Sequence, residues 1–158
     1  KSFYMNSNLK KYALVTGGSS GMGLEYVKSL ARRGYNVIIV ALFQNETDAV
    51  KEEMAKLYPE LDFISIGMDL STMEAPESLY EQVREKIGEG AVEVLVNNAG
   101  VSQQKLFTDV TEEEWDRMFD VTIKSCFHSC QAVLPGMIRR QSGSIVNLSS
   151  IWGIRCKL

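Results

Sequence analysis

Short apolar runs rich in Val, Ile and Leu recur along the chain, and segments with helical spacing of their apolar residues follow them. This alternation constrains the fold most, because strands buried on both faces need helices on both sides of a parallel sheet. Ligands of such sheets bind at the carboxyl ends of the strands, near the point where strand order reverses. The predicted strands are YALVT, NVIIVAL, LDFISIGM, VEVLV and GSIVNLSS, and the predicted helices span 20–33, 45–57, 74–87 and a long segment from 111 to 140.

The long helical segment carries its own start signal. Thr111 and Glu114 have the spacing of a capping box, in which each side chain accepts a hydrogen bond from the other residue's backbone N–H. We expect Pro135 to kink or end this helix, because proline lacks the N–H that the helix needs. Trp115, Met118 and Phe119 have the spacing of residues that face a core.

Composition limits the classes of function. The 158 residues, 45% of them hydrophobic, suit one domain over 1–158, in which 1–10 form a flexible tail. A mixed net charge of −3 gives no reason to expect a nucleic-acid partner. No apolar run approaches the ~20 residues that span a bilayer, so we expect no membrane association. Three cysteines in no paired array favour a reducing cytoplasm.

A glycine-rich turn, TGGSSGMG, joins the first predicted strand to the first helix. Gly17 permits a sharp turn, Gly21 lets backbone approach a pyrophosphate, and Gly23 lets the helix pack against the strand. The helix N-terminus would then offer free N–H groups to the phosphates. The turn lacks both the G-x-G-x-x-G spacing and the Gly-Lys-Ser/Thr ending of a P-loop. An ordinary strand-to-helix turn is the alternative interpretation.

Three further motifs follow the other strands: DL at 69–70, NNAG at 97–100 and NLSS at 147–150. Together with the glycine turn they resemble the short-chain dehydrogenase/reductase family of NAD(P)-dependent oxidoreductases. The resemblance covers about 11–153, and 101–153 is similar to relatives of bacterial 3-oxoacyl-(acyl-carrier-protein) reductase. It implies a Rossmann-type, doubly wound parallel sheet with strand order 3-2-1-4-5, helices on both faces, and further C-terminal strands that this chain lacks.

The resemblance also implies a set of cofactor contacts. The glycine loop would bind the adenine ribose and pyrophosphate, Asp69 the adenine amino group, and Leu70 the side of the ring. The loop after the fourth strand would line the nicotinamide ribose, although a purely structural turn is the alternative there. The implied cofactor-binding residues are Gly17, Ser19, Ser20, Gly21, Met22, Gly23, Leu42, Asp69, Leu70, Asn98, Ala99 and Gly100.

Cofactor choice would be set at the end of the second strand. Members that prefer NAD often have Asp at the position of Ala41, and members that prefer NADP often have Arg at the position of Leu42. Because no carboxylate at 41 would repel a 2′-phosphate, we expect a preference for NADP over NAD. Gln44 and Asn45 could donate hydrogen bonds to that phosphate.

Catalysis in the family would use Ser150, whose hydroxyl would hydrogen-bond the oxygen of a small carbonyl, alcohol or acyl-thioester substrate. Its implied partner is a Tyr-x-x-x-Lys motif about a dozen residues downstream, with the tyrosine as general acid/base. The chain stops eight residues after Ser150 and begins at Lys1, so we expect a truncated reading frame that lacks this motif. Thr122 occupies the position of a family Asn that supports a proton relay.

The 158 residues are therefore expected to be the cofactor-binding portion of an oxidoreductase, inactive alone and a homodimer or homotetramer when complete. The alternatives are a catalytically dead nucleotide-binding or interaction protein and a truncated product without function. Cys126, His128 and Cys130 resemble a metal-ligand set, but on a helix His128 points away from the two cysteines, so we expect no metal.

Overall fold

The computed structural model describes residues 9–102 and 104–150. Within these ranges five parallel strands form one sheet in the order β3-β2-β1-β4-β5, which confirms the predicted fold class and strand order. The central strand pairs with β2 on one side and β4 on the other, so the winding reverses beside it. The strands are β1 (Lys11–Thr16), β2 (Asn36–Ala41), β3 (Phe63–Gly67), β4 (Ala91–Asn97) and β5 (Ser144–Asn147).

Helices cover both faces of the sheet, because successive residues of each buried strand point to opposite sides. Leu14 of β1 packs in the cluster that includes residues of α3 and α5, whereas Ala13 and Val15 pack with residues of α1 and α2. These side chains are fully buried. The helices are α1 (Gly21–Arg32), α2 (Gln44–Leu57), α3 (Ala75–Ile87), α4 (Glu112–Phe119) and α5 (Ser125–Arg140).

The long helical segment begins as predicted but is not uniform. The Thr111–Glu114 capping box is present, and α4 follows it directly. One π-helical turn, Asp120–Lys124, joins α4 to α5, and the Ser125 N–H bonds to the Asp120 carbonyl at its end. Such a turn inserts an extra residue and shifts the faces of the two helices relative to one another.

Pro135 does not end α5, which continues to Arg140, so of the two predicted outcomes, a kink or an end, the end was wrong. Proline leaves the carbonyl four residues earlier, that of Gln131, without its helical partner. Gln131 and Pro135 are both exposed, and water can therefore solvate this carbonyl. Trp115 and Phe119 were predicted to face the core, but they are 43% and 47% exposed, respectively. Their ring centroids lie 4.9 Å apart, so the two rings pack against each other.

The last strand is shorter than the sequence predicted. β5 pairs with β4 from Ser144 to Asn147 and ends three residues before Ser150. Ile145 packs against the core, whereas Val146 is 42% exposed.

Most of the expected tail, residues 1–8, lies outside the described residues, as do Trp152 and Cys156. Lys10, at the end of that segment, is bound to the sheet: its carbonyl accepts a hydrogen bond of 2.9 Å from the Ala91 N–H. In the described part of the chain, no helix has the length and apolar character to cross a membrane.

Candidate nucleotide site at the carboxyl ends of the strands

A cleft of about 880 Å³ opens at the carboxyl ends of β1 to β4, where the strand order reverses. This is the position at which open α/β sheets bind ligands. Ten of the twelve predicted cofactor contacts line the cleft, and the other two, Gly21 and Gly23, belong to its glycine loop. The lining includes Gly17, Ser19, Ser20, Met22, Leu42, Asp69, Leu70, Asn98, Ala99 and Gly100, and also Phe43, Glu46, Val101 and part of α4.

Gly23, which is buried and does not line the cleft, shapes the glycine loop. A Cβ at Gly23 would lie 1.9 Å from the Gly17 carbonyl oxygen, so only glycine allows the start of α1 to approach the end of β1. Gly21 is exposed, has φ of +53°, and has no atom within 4 Å of where a Cβ would stand. The loop is thus tight at Gly23 and open at Gly21, where a ligand can reach the backbone.

Thr16, at the end of β1, joins this loop to the one after β4. Its buried hydroxyl accepts hydrogen bonds from the N–H groups of Asn98 and Ala99, both at 3.0 Å, and donates to the Val96 carbonyl at 3.4 Å. The Asn98 side-chain amide donates in return to the carbonyls of Thr16 and Gly17, both at 3.1 Å. No role was predicted for Thr16 from the sequence, although it lies next to the first glycine. Thr16 therefore holds the glycine loop next to the loop after β4, and these two loops form two walls of the cleft.

Asp69 lies beyond β3 and lines the cleft with its carboxylate held in place. The Ser71 hydroxyl and N–H donate to its Oδ1 at 2.6 and 2.9 Å. These bonds, chiefly that from the Ser71 hydroxyl, lower the pKa of Asp69, with a smaller contribution from the charge of Arg117. Asp69 is therefore an ionised acceptor that faces the cleft, as a contact to an amino group requires.

Leu70, beside Asp69, is fixed by α5. Its carbonyl lies 2.8 Å from Nδ1 of the buried His128. His128 thus has a structural bond, and Cys126 and Cys130 contact Asn147 and Asn97 instead. Among the described residues, no group of three or more His, Cys, Asp or Glu side chains could hold a metal ion.

The two predicted catalytic residues lie apart from the lining. Thr122, in the π-helical turn, accepts a hydrogen bond of 3.4 Å from the Val101 N–H and lies 3.5 Å from where a Gly100 Cβ would stand. It therefore contacts the loop after β4. Ser150 is exposed and is not among the residues that line the cleft.

Charge in the described lining of the cleft is mainly negative. Arg117 on α4 is the only basic side chain in that lining. The acidic side chains there are Glu46, Asp69, Glu113, Asp116 and Asp120. Positive potential for an anionic ligand must therefore come mainly from the free N–H groups and dipole of α1, which begins in the glycine loop.

The fold and the cleft define a doubly wound α/β protein with an open cleft at its switch point. The chain belongs to the short-chain dehydrogenase family, whose profile matches residues 11–156. The 3-oxoacyl-[acyl-carrier-protein] reductase FabG of Staphylococcus epidermidis is 37% identical over 151 residues, which are 92% of this chain.

Two solved structures share the fold closely. The bulky-bulky ketone specific alcohol dehydrogenase of Comamonas testosteroni superposes with a TM-score of 0.81 at 28% identity, over 94% of this chain and 58% of its own. The alcohol dehydrogenase of Thermococcus sibiricus complexed with 5-hydroxy-NADP has a TM-score of 0.78 at 27% identity, over 86% and 57%. This chain spans 58% of the length of the FabG relative.

Proposed function

We propose that these residues form the dinucleotide-binding part of an oxidoreductase that transfers hydride between a nicotinamide cofactor and a carbonyl or alcohol. The observation that carries the proposal is the shape of the glycine loop. The loop packs tightly against the end of β1 at Gly23 and leaves free space at Gly21. Hydrogen bonds to Thr16 join it to the loop after β4. This geometry fits a diphosphate, because backbone N–H groups at the start of a helix can reach it without interference from a side chain.

The other predicted contacts receive distinct roles in this proposal. The Asp69 carboxylate accepts a hydrogen bond from the adenine amino group, and Leu70 packs beside the ring. Ala99 and Gly100 line the nicotinamide half, which the Thr16 and Asn98 bonds hold at a fixed distance from the glycine loop. When bound, the cofactor supplies the hydride chemistry, while the protein orients it and excludes water.

Ser150 is proposed to hydrogen-bond the substrate oxygen, and Thr122 to support the loop beside the nicotinamide half. The names of the relatives point to 3-oxoacyl groups and bulky ketones as substrates. We accordingly propose a small carbonyl, alcohol or acyl thioester as substrate and a homodimer or homotetramer as the assembly of the complete enzyme. Cytoplasmic location stays a prediction.

A second candidate is a nucleotide-binding protein without hydride transfer. None of the six tyrosines in the 158 residues is followed four positions later by lysine, so no Tyr-x-x-x-Lys pair is available within them. This candidate shares the cleft with the first and differs only in the chemistry.

Titration of the 158-residue chain with NADH, followed by nucleotide fluorescence, tests the binding proposal. We expect weak but saturable binding of NADH. ADP-ribose should bind with an affinity within a few-fold of that of NADH, and nicotinamide mononucleotide should not bind, because most described contacts lie at the adenosine end. Gly21→Asp should abolish binding, since it puts a charge and a side chain where the diphosphate approaches.

Gly34→Asp is the matched control. Gly34 also has a positive φ, +81°, and open space around its Cβ position, but it lies beyond the other end of α1, away from the glycine loop. Both variants carry the same left-handed strain of about 1–2 kcal/mol. Binding that is absent in a folded wild-type chain, or lost equally in both variants, would contradict the proposal.

A further inference from the structure

Glu46 reaches across the cleft rim to the glycine loop. It lies in the first turn of α2, and its Oε2 accepts a hydrogen bond of 3.0 Å from the Ser19 hydroxyl. Both residues line the cleft, beside Leu42 and Phe43 at the end of β2. The bond joins two segments 27 residues apart and holds a carboxylate where the glycine loop and the end of β2 meet.

Dinucleotide sites of this architecture select their cofactor at this place. An acidic residue about 20 positions beyond the glycine loop accepts a hydrogen bond from the adenine-ribose 2′-hydroxyl, whereas a basic residue accommodates a 2′-phosphate. The usual position for the acid, directly at the end of β2, is occupied here by Ala41 and Leu42. Glu46 brings a carboxylate to the same rim from the following helix.

Gln44, one of the two neutral residues that could have received a 2′-phosphate, is hydrogen-bonded elsewhere. The Gln44 amide donates to Asp48 at 2.8 Å and to Ser65 at 3.3 Å, and its oxygen accepts from the Gly67 N–H at 2.6 Å. Neither Gln44 nor Asn45 is among the described residues that line the cleft. The expectation that they would hold a phosphate therefore has no support in the geometry.

The charges at the rim of the cleft also disfavour binding of a 2′-phosphate. The one basic side chain in the described lining, Arg117, lies close enough to Asp69 to lower the pKa of that carboxyl. The N-terminus of α2 would by itself attract an anion, but Glu46 already supplies the negative charge that a first helical turn favours. A 2′-phosphate would meet this carboxylate, and the described lining of the cleft offers no cation besides Arg117 to offset the repulsion.

We propose that Glu46, held by Ser19, determines cofactor specificity: it accepts a hydrogen bond from the ribose 2′-hydroxyl and excludes a 2′-phosphate, so that the site prefers NAD(H) to NADP(H). This inference rests on the proposed dinucleotide site. It replaces the NADP preference expected from the sequence, which rested on the absence of a carboxylate at Ala41 and on possible donors at Gln44 and Asn45.

The test compares dissociation constants of NADH and NADPH for the wild-type chain, Glu46→Gln and Glu46→Lys. We expect wild type to bind NADH about tenfold more tightly, a difference of about 1.4 kcal/mol. Glu46→Gln should reduce the ratio and Glu46→Lys should invert it. The wild-type ratio should also shrink as salt is raised, because screening weakens the repulsion.

Glu53→Lys is the matched control, since Glu53 is exposed on the same helix and does not line the cleft. It makes the same change of charge and should leave the ratio unchanged within about twofold, as expected for a screened charge outside the site. Adenosine 2′-monophosphate and 5′-monophosphate, used as competitors, isolate the effect of the 2′-phosphate.

The inference is overturned if wild type binds NADPH as tightly as NADH, or if Glu53→Lys shifts the ratio as much as Glu46→Lys. A folded chain that binds neither dinucleotide refutes the proposed function itself, and the inference with it. If the chain binds NADH and NADPH with equal dissociation constants, only the role of Glu46 is refuted.

Discussion

The hydroxyl of Thr16 and the side-chain amide of Asn98 form a reciprocal set of hydrogen bonds between the ends of β1 and β4. Thr16 Oγ1 accepts from the Asn98 N–H at 3.0 Å, and Asn98 Nδ2 donates to the Thr16 carbonyl at 3.1 Å. The two strands are neighbours at the switch point, and these bonds fix the width of the cleft between their loops.

Thr16→Val should therefore weaken both stability and nucleotide binding. The variant keeps the shape but leaves two N–H groups without an acceptor, which costs about 1–3 kcal/mol when the groups are buried. Urea unfolding measures the first effect and NADH titration the second. Thr16→Ser retains the hydroxyl and should stay close to wild type; equal stability of the Val and Ser variants would show that the bonds are unimportant.

The lowered pKa of Asp69 leads to a prediction about how stability depends on pH. Its pKa is lowered chiefly by the Ser71 hydroxyl, so the ionised form is favoured in the folded state. The resulting stabilisation is present above the unfolded-state pKa, about 3.9, and is lost as pH falls through the lower folded-state value. Ser71→Ala should raise the pKa of Asp69 part of the way back, because the Ser71 N–H remains as a donor.

NMR titration of the Asp69 carboxyl checks this shift, with Ser78→Ala as a control at a serine that does not contact Asp69. An unchanged Asp69 titration in Ser71→Ala would mean that the Ser71 hydroxyl does not hold the carboxylate in solution.

Carbonyl reduction by the 158 residues alone should be undetectable. No Tyr-x-x-x-Lys pair lies within them, and loss of a general acid typically costs 10²–10⁴-fold in rate. The assay follows NADH and NADPH oxidation with a ketone and with a 3-oxoacyl thioester. Steady turnover proportional to protein concentration, with either cofactor, would show that other residues supply the proton.

Self-association is expected because apolar side chains are exposed along α4, α5 and the π-helical turn between them. Ile123, Phe127 and Ile138 are 60%, 57% and 69% exposed, and β5 forms an edge of the described sheet. Such surfaces favour association. Sedimentation velocity should show dimers or larger species, reduced by Phe127→Glu but not by Leu57→Glu on α2; a monodisperse wild-type monomer would contradict this.

The parallel sheet with helices on both faces could be predicted from sequence because the buried runs are continuous and glycines or polar residues separate them from the helices. The strand order came from the resemblance to the short-chain dehydrogenase/reductase family, since the runs themselves do not say which strands are neighbours. The site could be predicted where its residues are close in sequence, as in the loop from Gly17 to Gly23. Glu46 could not be assigned, since its role depends on a bond to Ser19 that only the packing of α2 beside the glycine loop creates.

Two local sequence signals, a proline within a helix and a core-like spacing of aromatic residues, also gave expectations that were partly wrong, because their effect depends on the surrounding structure. Pro135 has the usual character of a helix stop, yet Gln131 and Pro135 lie on the exposed face of α5, where water can replace the lost helical hydrogen bond. Trp115 and Phe119 have core spacing, but their rings pack against each other and both residues are exposed.

Hydrogen–deuterium exchange with and without ADP-ribose tests most directly whether the cleft binds the nucleotide. We predict slower exchange in peptides that cover 17–23, 68–71 and 98–101, and no change in those that cover 84–90 and 136–140 at the opposite end of the sheet. Protection confined to the opposite end, or none at saturating ADP-ribose in a folded chain, would contradict a nucleotide site at the carboxyl ends of the strands.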